Sequence, residues 1–193
     1  MTLADRLRLA LSSPAAEPPV EGDLPELRQQ AHVPAAVLIA VTDSSDPGVI
    51  LTVRREDMRT HAGQIAFPGG RIEPGEEPIA AALREAREEI LLDSSLVDVV
   101  GAVDPYRTVT GYVVTPVLGV VPPGLPLEPH EHEVADWFEA RLDYLIDPAN
   151  QHRRSALFGG RERHYYEIVW NDRRIWGATA AMIVNLSRRL QWS

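Results

Sequence analysis

GRIEPGEEPIAAALREAREEILL, residues 70–92, is the stretch on which the reading of this chain turns. Pro78 suits the first position of a helix, and Glu76 and Glu77 suit the positive end of its dipole. The spacing predicts a helix over 78–92, with Ile79, Leu83, Ala86 and Ile90 as its buried stripe. Glu85, Glu88 and Glu89 then fall at i, i+3 and i+4, on one face. Like charges at that spacing repel by a few tenths of a kcal/mol per pair. Such a face is either a solvated acidic surface or a seat for hard divalent cations, which take oxygen ligands and bridge to phosphates.

Working outward, residues 55–77 form a long stretch broken by glycines and prolines, longer than an idle connection in a compact domain. Before it, Ala35–Thr42 reads as a buried strand, 43–48 (DSSDPG) as a turn, and Val49–Arg54 as the second strand of a hairpin. After the helix, Leu96–Val103, Tyr112–Val121 and His164–Trp170 read as strands. Asn171-Asp172 offers a turn before Ile175-Trp176. Ala178–Leu190 reads as an amphipathic helix with Ala180, Met182, Ile183 and Leu186 toward the core. Thr2–Leu11 forms a short helix with Leu3, Leu7, Ala10 and Leu11 on one side, and Ser12–Asp23 is a connector. Strands interleaved with two main helices imply an α/β fold, a mixed sheet with helices on its faces. The expected division is an N-terminal helix and connector, 1–34, and one domain, 35–193.

The 193 residues carry 19 basic and 28 acidic side chains, a net charge of −9. That balance argues against nucleic acid and anionic membrane as partners, which are bound by positive fields. There is no cysteine, which removes disulfides, thiolate nucleophiles and Cys-ligated metals. There is no lysine either, so Schiff-base chemistry and a P-loop lysine are excluded. What remains is acid–base chemistry from Asp, Glu, His and Tyr, and hard metals on carboxylates. The first twelve residues carry Asp5, Arg6 and Arg8 and lack the apolar core of a signal peptide. The longest apolar stretch, near 34–41, is too short to span a bilayer. A cytoplasmic location is expected.

With Gly70, Glu76, Arg84, Glu85, Glu88 and Glu89 at these intervals, and Ala86 and Leu92 at its apolar positions, the segment resembles the Nudix box of nucleoside-diphosphate-linked hydrolases. It departs at one place: Leu91 stands where the box has a glycine. That glycine is a helix stop, so an altered helix exit is expected. Upstream, LTVRREDMRTHAGQIAFPGG (51–70) resembles the LLTxR(S)xxxRxHxGQxxFPGG element of coenzyme A diphosphatases, with Arg55 where the pattern has Ser. Thr110-Gly111-Tyr112, the Pro-rich 121–126, Glu131-His132-Glu133-Val134 and Trp176-Gly177-Ala178-Thr179-Ala180 look like the same family.

The resemblance implies a Nudix α/β/α sandwich and metal-dependent hydrolysis of the diphosphate of CoA or a CoA thioester. The products are adenosine 3′,5′-bisphosphate and 4′-phosphopantetheine or its acyl form. It implies Mg²⁺ or Mn²⁺ on Glu85, Glu88, Glu89 and the Gly70 carbonyl. Arg84 holds the glutamates, and Glu76 orders the loop. The catalytic set is Glu85, Glu89, Arg84 and Glu133, and the base is one of Glu85, Glu131 and Glu133. Arg54, Arg59, His61, Gln64 and Arg71 are candidate substrate contacts, Arg55 flanks them, and His61 and Gln64 are equally readable as loop braces. Tyr165, Tyr166, Trp170 and Trp176 read as core or interface rather than an adenine platform. The partner is a small molecule, with a homodimer left open. The rival readings are a diphosphatase for ADP-ribose, a dinucleotide or a nucleoside triphosphate, and a non-catalytic module that senses a nucleotide.

Overall fold

The computed structural model describes residues 1–15, 17–23, 32–56, 63–158 and 160–190. Its elements, in order, are α1 (Leu3–Ser12), β1 (Val33–Thr42), β2 (Gly48–Arg54), β3 (Ile65–Ala66), β4 (Gly69–Arg71), α2 (Pro78–Ile90), β5 (Asp98–Ala102), β6 (Tyr106–Arg107), β7 (Tyr112–Val121), β8 (Val134–Arg141), α3 (Leu142–Ile146), β9 (His152–Phe158), β10 (Arg161–Trp170), β11 (Arg173–Trp176) and α4 (Ala178–Leu190). The main sheet is mixed: β1 and β7 run parallel over ten residues, and the other pairings are antiparallel.

β1 shows why helices cover both faces. Its side chains alternate. Ala36, Leu38 and Ala40 pack with Ala81, Ala82, Ala86 and Ile90 of α2. Ala35, Ile39 and Val41 join Leu3 and Leu7 of α1 and Ala180, Ile183 and Leu186 of α4 on the other side. The second sheet, β9-β10-β11, turns Ile168 and Ile175 into that same core.

The expected β1–β2 hairpin begins but does not run on. Val41 and Val49 pair beside the turn, whereas lower down β1 has β4 beside it, with Ala36 opposite Gly70 and Val37 opposite Gly69. β2 leaves to pair with β8 along its length. The main sheet thus splits between β2 and β4, and the Phe67–Gly70 turn lies at the split.

Ala86 and Ile90 of α2, and Ala180, Met182, Ile183 and Leu186 of α4, are buried as expected, but the buried faces of both helices differ in extent from the expected stripes. In α2 the buried residues are Ala81, Ala82, Ala86, Glu89 and Ile90, while Ile79 is exposed and Leu83 half-buried. β1 presents two alanines, so the helix closes on it through its own small residues. This rotates the buried arc toward the glutamates. α4 is buried continuously from Thr179 to Leu186 rather than along one stripe, because α1 and α3 pack outside it.

The N-terminal segment is tied to the rest of the molecule. Thr2 and Asp5 form a capping box on α1. The Asn185 side chain both accepts from the Val20 N–H (2.7 Å) and donates to the Val20 carbonyl (2.9 Å). Tyr106 donates its hydroxyl to Asp23 at 2.6 Å.

At the end of α2, Leu91 takes the left-handed conformation, φ 53° and ψ 29°, and donates to the carbonyl of Arg87. The helix exit is therefore the one a glycine would make, contrary to the expected alteration, and a non-glycine residue bears its cost. Leu91→Gly should stabilise the protein by about 1 kcal/mol, since the side chain is 55% exposed and the relief of the left-handed backbone outweighs the part it covers. A urea midpoint unchanged or lowered would show that Leu91 makes contacts worth more than the strain.

Candidate active site

The site is built around one arginine. Arg84 donates Nε and Nη2 to the two oxygens of Glu76 (2.9 and 3.0 Å), Nη2 also to the Arg71 carbonyl (3.0 Å), and Nη1 to Glu85 (2.8 Å) and Glu88 (3.3 Å). The fork to Glu76 is bidentate and charge-assisted. Glu76 also accepts the Glu73 N–H at 2.9 Å, so it closes the loop before α2. Arg84 holds the Glu76 carboxyl below its ordinary range, and Glu76 in turn holds Arg84 firmly protonated.

The three glutamates of α2 face different surroundings. Glu88 is exposed. Glu85 is half-buried, and burial raises its pKa against the pull of Arg84. Glu89 is 4% exposed. Burial pushes its pKa up to about 8, offset in part by the Gly69 N–H at 3.2 Å and the charge of Arg54. The buried arc of α2 thus puts one carboxylate of the acidic face inside the protein, which helical spacing alone does not reveal.

Gly69 and Gly70 are where the sheet meets this helix. A Cβ on Gly70 would lie 2.5 Å from Glu85 Oε1, and one on Gly69 would lie 2.4 Å from the Ala36 carbonyl oxygen. At Gly69 the obstacle is the backbone of β1; at Gly70 it is the carboxylate end of Glu85.

On the far side of the cluster is the loop between β7 and β8. Its Glu128 and His130 amides donate to the carbonyls of Ile90 and Glu89, at 3.2 and 2.7 Å, and so finish α2. Glu133, at its end, contributes charge repulsion to both Glu85 and Glu89. Glu131, the alternative late-loop carboxylate, points outward beside His132.

The arginines and polar loop residues separate. Arg54 faces Glu89, and its buried Nε has no hydrogen-bond partner among the described residues. Arg71 is turned onto the Tyr112 hydroxyl, at 3.0 Å from Nη2, and only its carbonyl joins the Arg84 network. Gln64 is pinned beside β2, its carbonyl accepting the Arg54 N–H at 2.9 Å. Arg59 and His61 lie outside the described residues. Thr179 donates to the Ile65 carbonyl at 3.0 Å, which joins the 176–180 segment to β3. Among the aromatics, Tyr166 and Trp170 pack against the core, and Trp170 meets Tyr144 edge-on. Tyr165 and Trp176 instead form an edge-on pair on the outer face of the second sheet, with the Arg174 guanidinium over Trp176.

The donors fit a hard divalent ion: carboxylate oxygens, and a main chain at Gly70 brought against Glu85 with no Cβ between them. Among the described residues no three such side chains converge on one point, because Arg84 holds Glu85 and Glu88 and the Gly69 amide holds Glu89. A bound ion would draw on the same oxygens.

The NUDIX domain family model matches residues 32–158. The chain belongs to the Nudix family. It is 40% identical over 161 residues to the uncharacterized Nudix hydrolase NudL of Escherichia coli K12, covering 82% of this chain and 83% of that protein. The Shigella boydii NudL is similar to the same extent. In fold, the chain is similar to a C. elegans Ap4A hydrolase in a binary complex, with TM-score 0.51 and 20% identity over 60% of this chain and 85% of that one. It is similar also to RenU, a Nudix hydrolase from M. smegmatis, with TM-score 0.51 and 23% identity over 61% and 76% of the two chains. The α/β/α arrangement around a mixed sheet is thus the Nudix fold, and hydrolysis of small nucleoside-diphosphate derivatives with divalent metal is the Nudix chemistry. Among the described residues no helix is long and apolar enough to cross a membrane.

Proposed function

We propose that this Nudix hydrolase cleaves the diphosphate of coenzyme A or its thioesters, with Mg²⁺ or Mn²⁺. The observation that carries the proposal is where the described parts of the 51–70 element lie: on β2, β3 and β4, with the charge of Arg54 near enough to act on Glu89 and Gly70 against Glu85. A substrate-selecting motif belongs beside the carboxylates that would react, and two of its described residues, Arg54 and Gly70, lie near Glu89 and Glu85.

In this reading Glu85, Glu88, Glu89 and the Gly70 carbonyl would hold the metal. An ion held there would neutralise the diphosphate and lower the pKa of a water. Arg84 keeps Glu85 and Glu88 oriented. Arg54 supplies positive charge on the side of the Phe67–Gly70 turn. Glu133 takes the proton as the water oxygen bonds to phosphorus. The bridging P–O bond breaks, and its electron pair leaves on the departing phosphate.

CoA differs from ADP-ribose and NADH by its 3′-phosphate and its pantetheine arm. An acidic protein needs a dedicated cation for that phosphate. Of the four arginines flanking the element, Arg54 faces Glu89, Arg55 binds the Glu131 carbonyl and Arg71 binds Tyr112. That leaves Arg59, with His61 and Gln64 toward the pantetheine arm. A bidentate Arg–phosphate contact, at about 1.5–3 kcal/mol, gives a ~10- to 150-fold preference for CoA over dephospho-CoA. The test is kcat/KM for CoA, dephospho-CoA, ADP-ribose and NADH, on wild type and Arg59→Gln. The preference should be present and should vanish in the variant. Equal values on wild type would remove the clamp, and faster hydrolysis of ADP-ribose would overturn the substrate. No turnover of any diphosphate with Mg²⁺ or Mn²⁺ would favour a nucleotide-sensing module.

A further inference from the structure

We infer that Arg55 is a positioning residue: it holds the 128–133 loop closed on α2 and thereby fixes Glu133 over the carboxylate cluster. The inference rests on the reading above, in which Glu133 accepts the proton.

The loop has few anchors. At its start, Glu128 and His130 cap the last carbonyls of α2. Inside it, the Glu133 and Val134 amides both donate to the His130 carbonyl at 3.0 Å, which makes a tight turn. At its end, β8 joins β2 through a register shift between Val53 and Arg54, so the regular ladder stops before Glu133. Arg55 takes over where the ladder fails. Its amide donates to the Glu133 carbonyl at 3.4 Å, and its guanidinium donates to the Glu131 carbonyl. The side chain therefore spans the turn that carries Glu133, whose own side chain is exposed and has no hydrogen bond to hold it among the described residues. A main-chain brace two residues away fixes such a carboxylate without neutralising it.

This position is also where the chain departs from the CoA-diphosphatase pattern, which has Ser at residue 55. A serine hydroxyl is too short to reach across the turn; an arginine is not. Nη1 of Arg55 is engaged on a main-chain carbonyl of the turn rather than aimed away from it, as a dedicated phosphate clamp would be.

Two measurements test this. The first needs neither metal nor substrate: amide hydrogen exchange on wild type, Arg55→Ser and Arg55→Lys. Arg55→Ser should speed exchange about tenfold at His130, Glu133 and Val134, leaving the α2 amides before Ala86 unchanged. Arg55→Lys, which keeps a cationic donor on a long side chain, should recover part of the protection. The second is kinetic, with CoA and Mg²⁺, or with whichever diphosphate of the panel is turned over fastest. Arg55→Ser should lower kcat about five- to tenfold with KM within twofold, and should add nothing in the Glu133→Gln background. Unaltered exchange would overturn the brace. A raised KM at unchanged kcat, or an equal loss in the Glu133→Gln background, would make Arg55 a substrate contact instead. Full kcat in Glu133→Gln would overturn the role of Glu133 itself, and with it the catalytic part of the inference. A kcat lost in Glu133→Gln but kept in Arg55→Ser would overturn only the positioning.

Discussion

Glu89→Gln is expected to stabilise the metal-free protein at alkaline pH while lowering kcat at least ~10²-fold. The stability gain comes from burial. Glu89 has a pKa near 8 in the folded protein against an ordinary value of 4.5, so the folded state keeps a proton that the unfolded chain releases. That binding contributes in full below the ordinary value. It is lost progressively as pH rises, and is gone above the folded pKa. Above about pH 8.5 a buried charge remains, with the Gly69 N–H and the nearby charge of Arg54 as partial compensation. A shift of this size corresponds to about 3–5 kcal/mol. Glutamine can keep the Gly69 hydrogen bond and has nothing to ionise. Urea or thermal unfolding in EDTA should show wild type losing stability from about pH 5 to 9, with the variant much flatter. The two should converge near pH 4.5. Added Mg²⁺ should narrow the gap at high pH by binding only the folded wild type. Parallel pH curves would mean that Glu89 is solvated and that the face is an ordinary acidic surface.

That buried carboxylate also marks the limit of what the sequence discloses. Helical spacing puts Glu85, Glu88 and Glu89 side by side, and the order Gly70–Glu76–Arg84 carries the family and hence the fold. Which glutamate goes inside depends on β1 offering Ala36 and Ala40, so that the alanines of α2 make the central contact, with Leu83 half-buried at its margin and Ile79 exposed. The split between β2 and β4 is equally tertiary. β3 and β4 have two and three residues, too few to show a period. β8, VADWFEAR, mixes charges into both faces because it lies at an edge against β2, and its burial does not alternate. The same holds for the arginines. Arg54, Arg55 and Arg71 look alike as residues flanking a glycine-rich loop. In the fold one faces a carboxylate, one braces a main-chain turn and one is bound to a phenol.

Gly69→Ala and Gly70→Ala should fail in opposite ways, although the two glycines are adjacent and in the same short strand. A methyl group on Gly70 would meet the Glu85 carboxylate, 2.5 and 2.6 Å from its oxygens. That is the end of a flexible side chain, so it can swing aside for about 1 kcal/mol, giving up the 2.8 Å bond to Arg84. The protein should fold with its Tm within a few degrees of wild type. The carboxylate would be displaced by an ångström or more, and kcat should fall ~10²-fold. A methyl group on Gly69 would meet the Ala36 carbonyl oxygen at 2.4 Å and the Val37 Cα at 2.6 Å. Both belong to the backbone of β1, which is held on its other side by ten residues of β7 and cannot move alone. β4 must then separate from β1, at about 3 kcal/mol or more, a Tm loss of roughly 6–12 °C for a chain of this size. Melting curves and kcat on both variants decide the matter. Wild-type kcat in Gly70→Ala would remove Glu85 from the reacting centre. An unchanged Tm in Gly69→Ala would mean that β4 does not close on β1 as tightly as the pairing of Val37 with Gly69 requires.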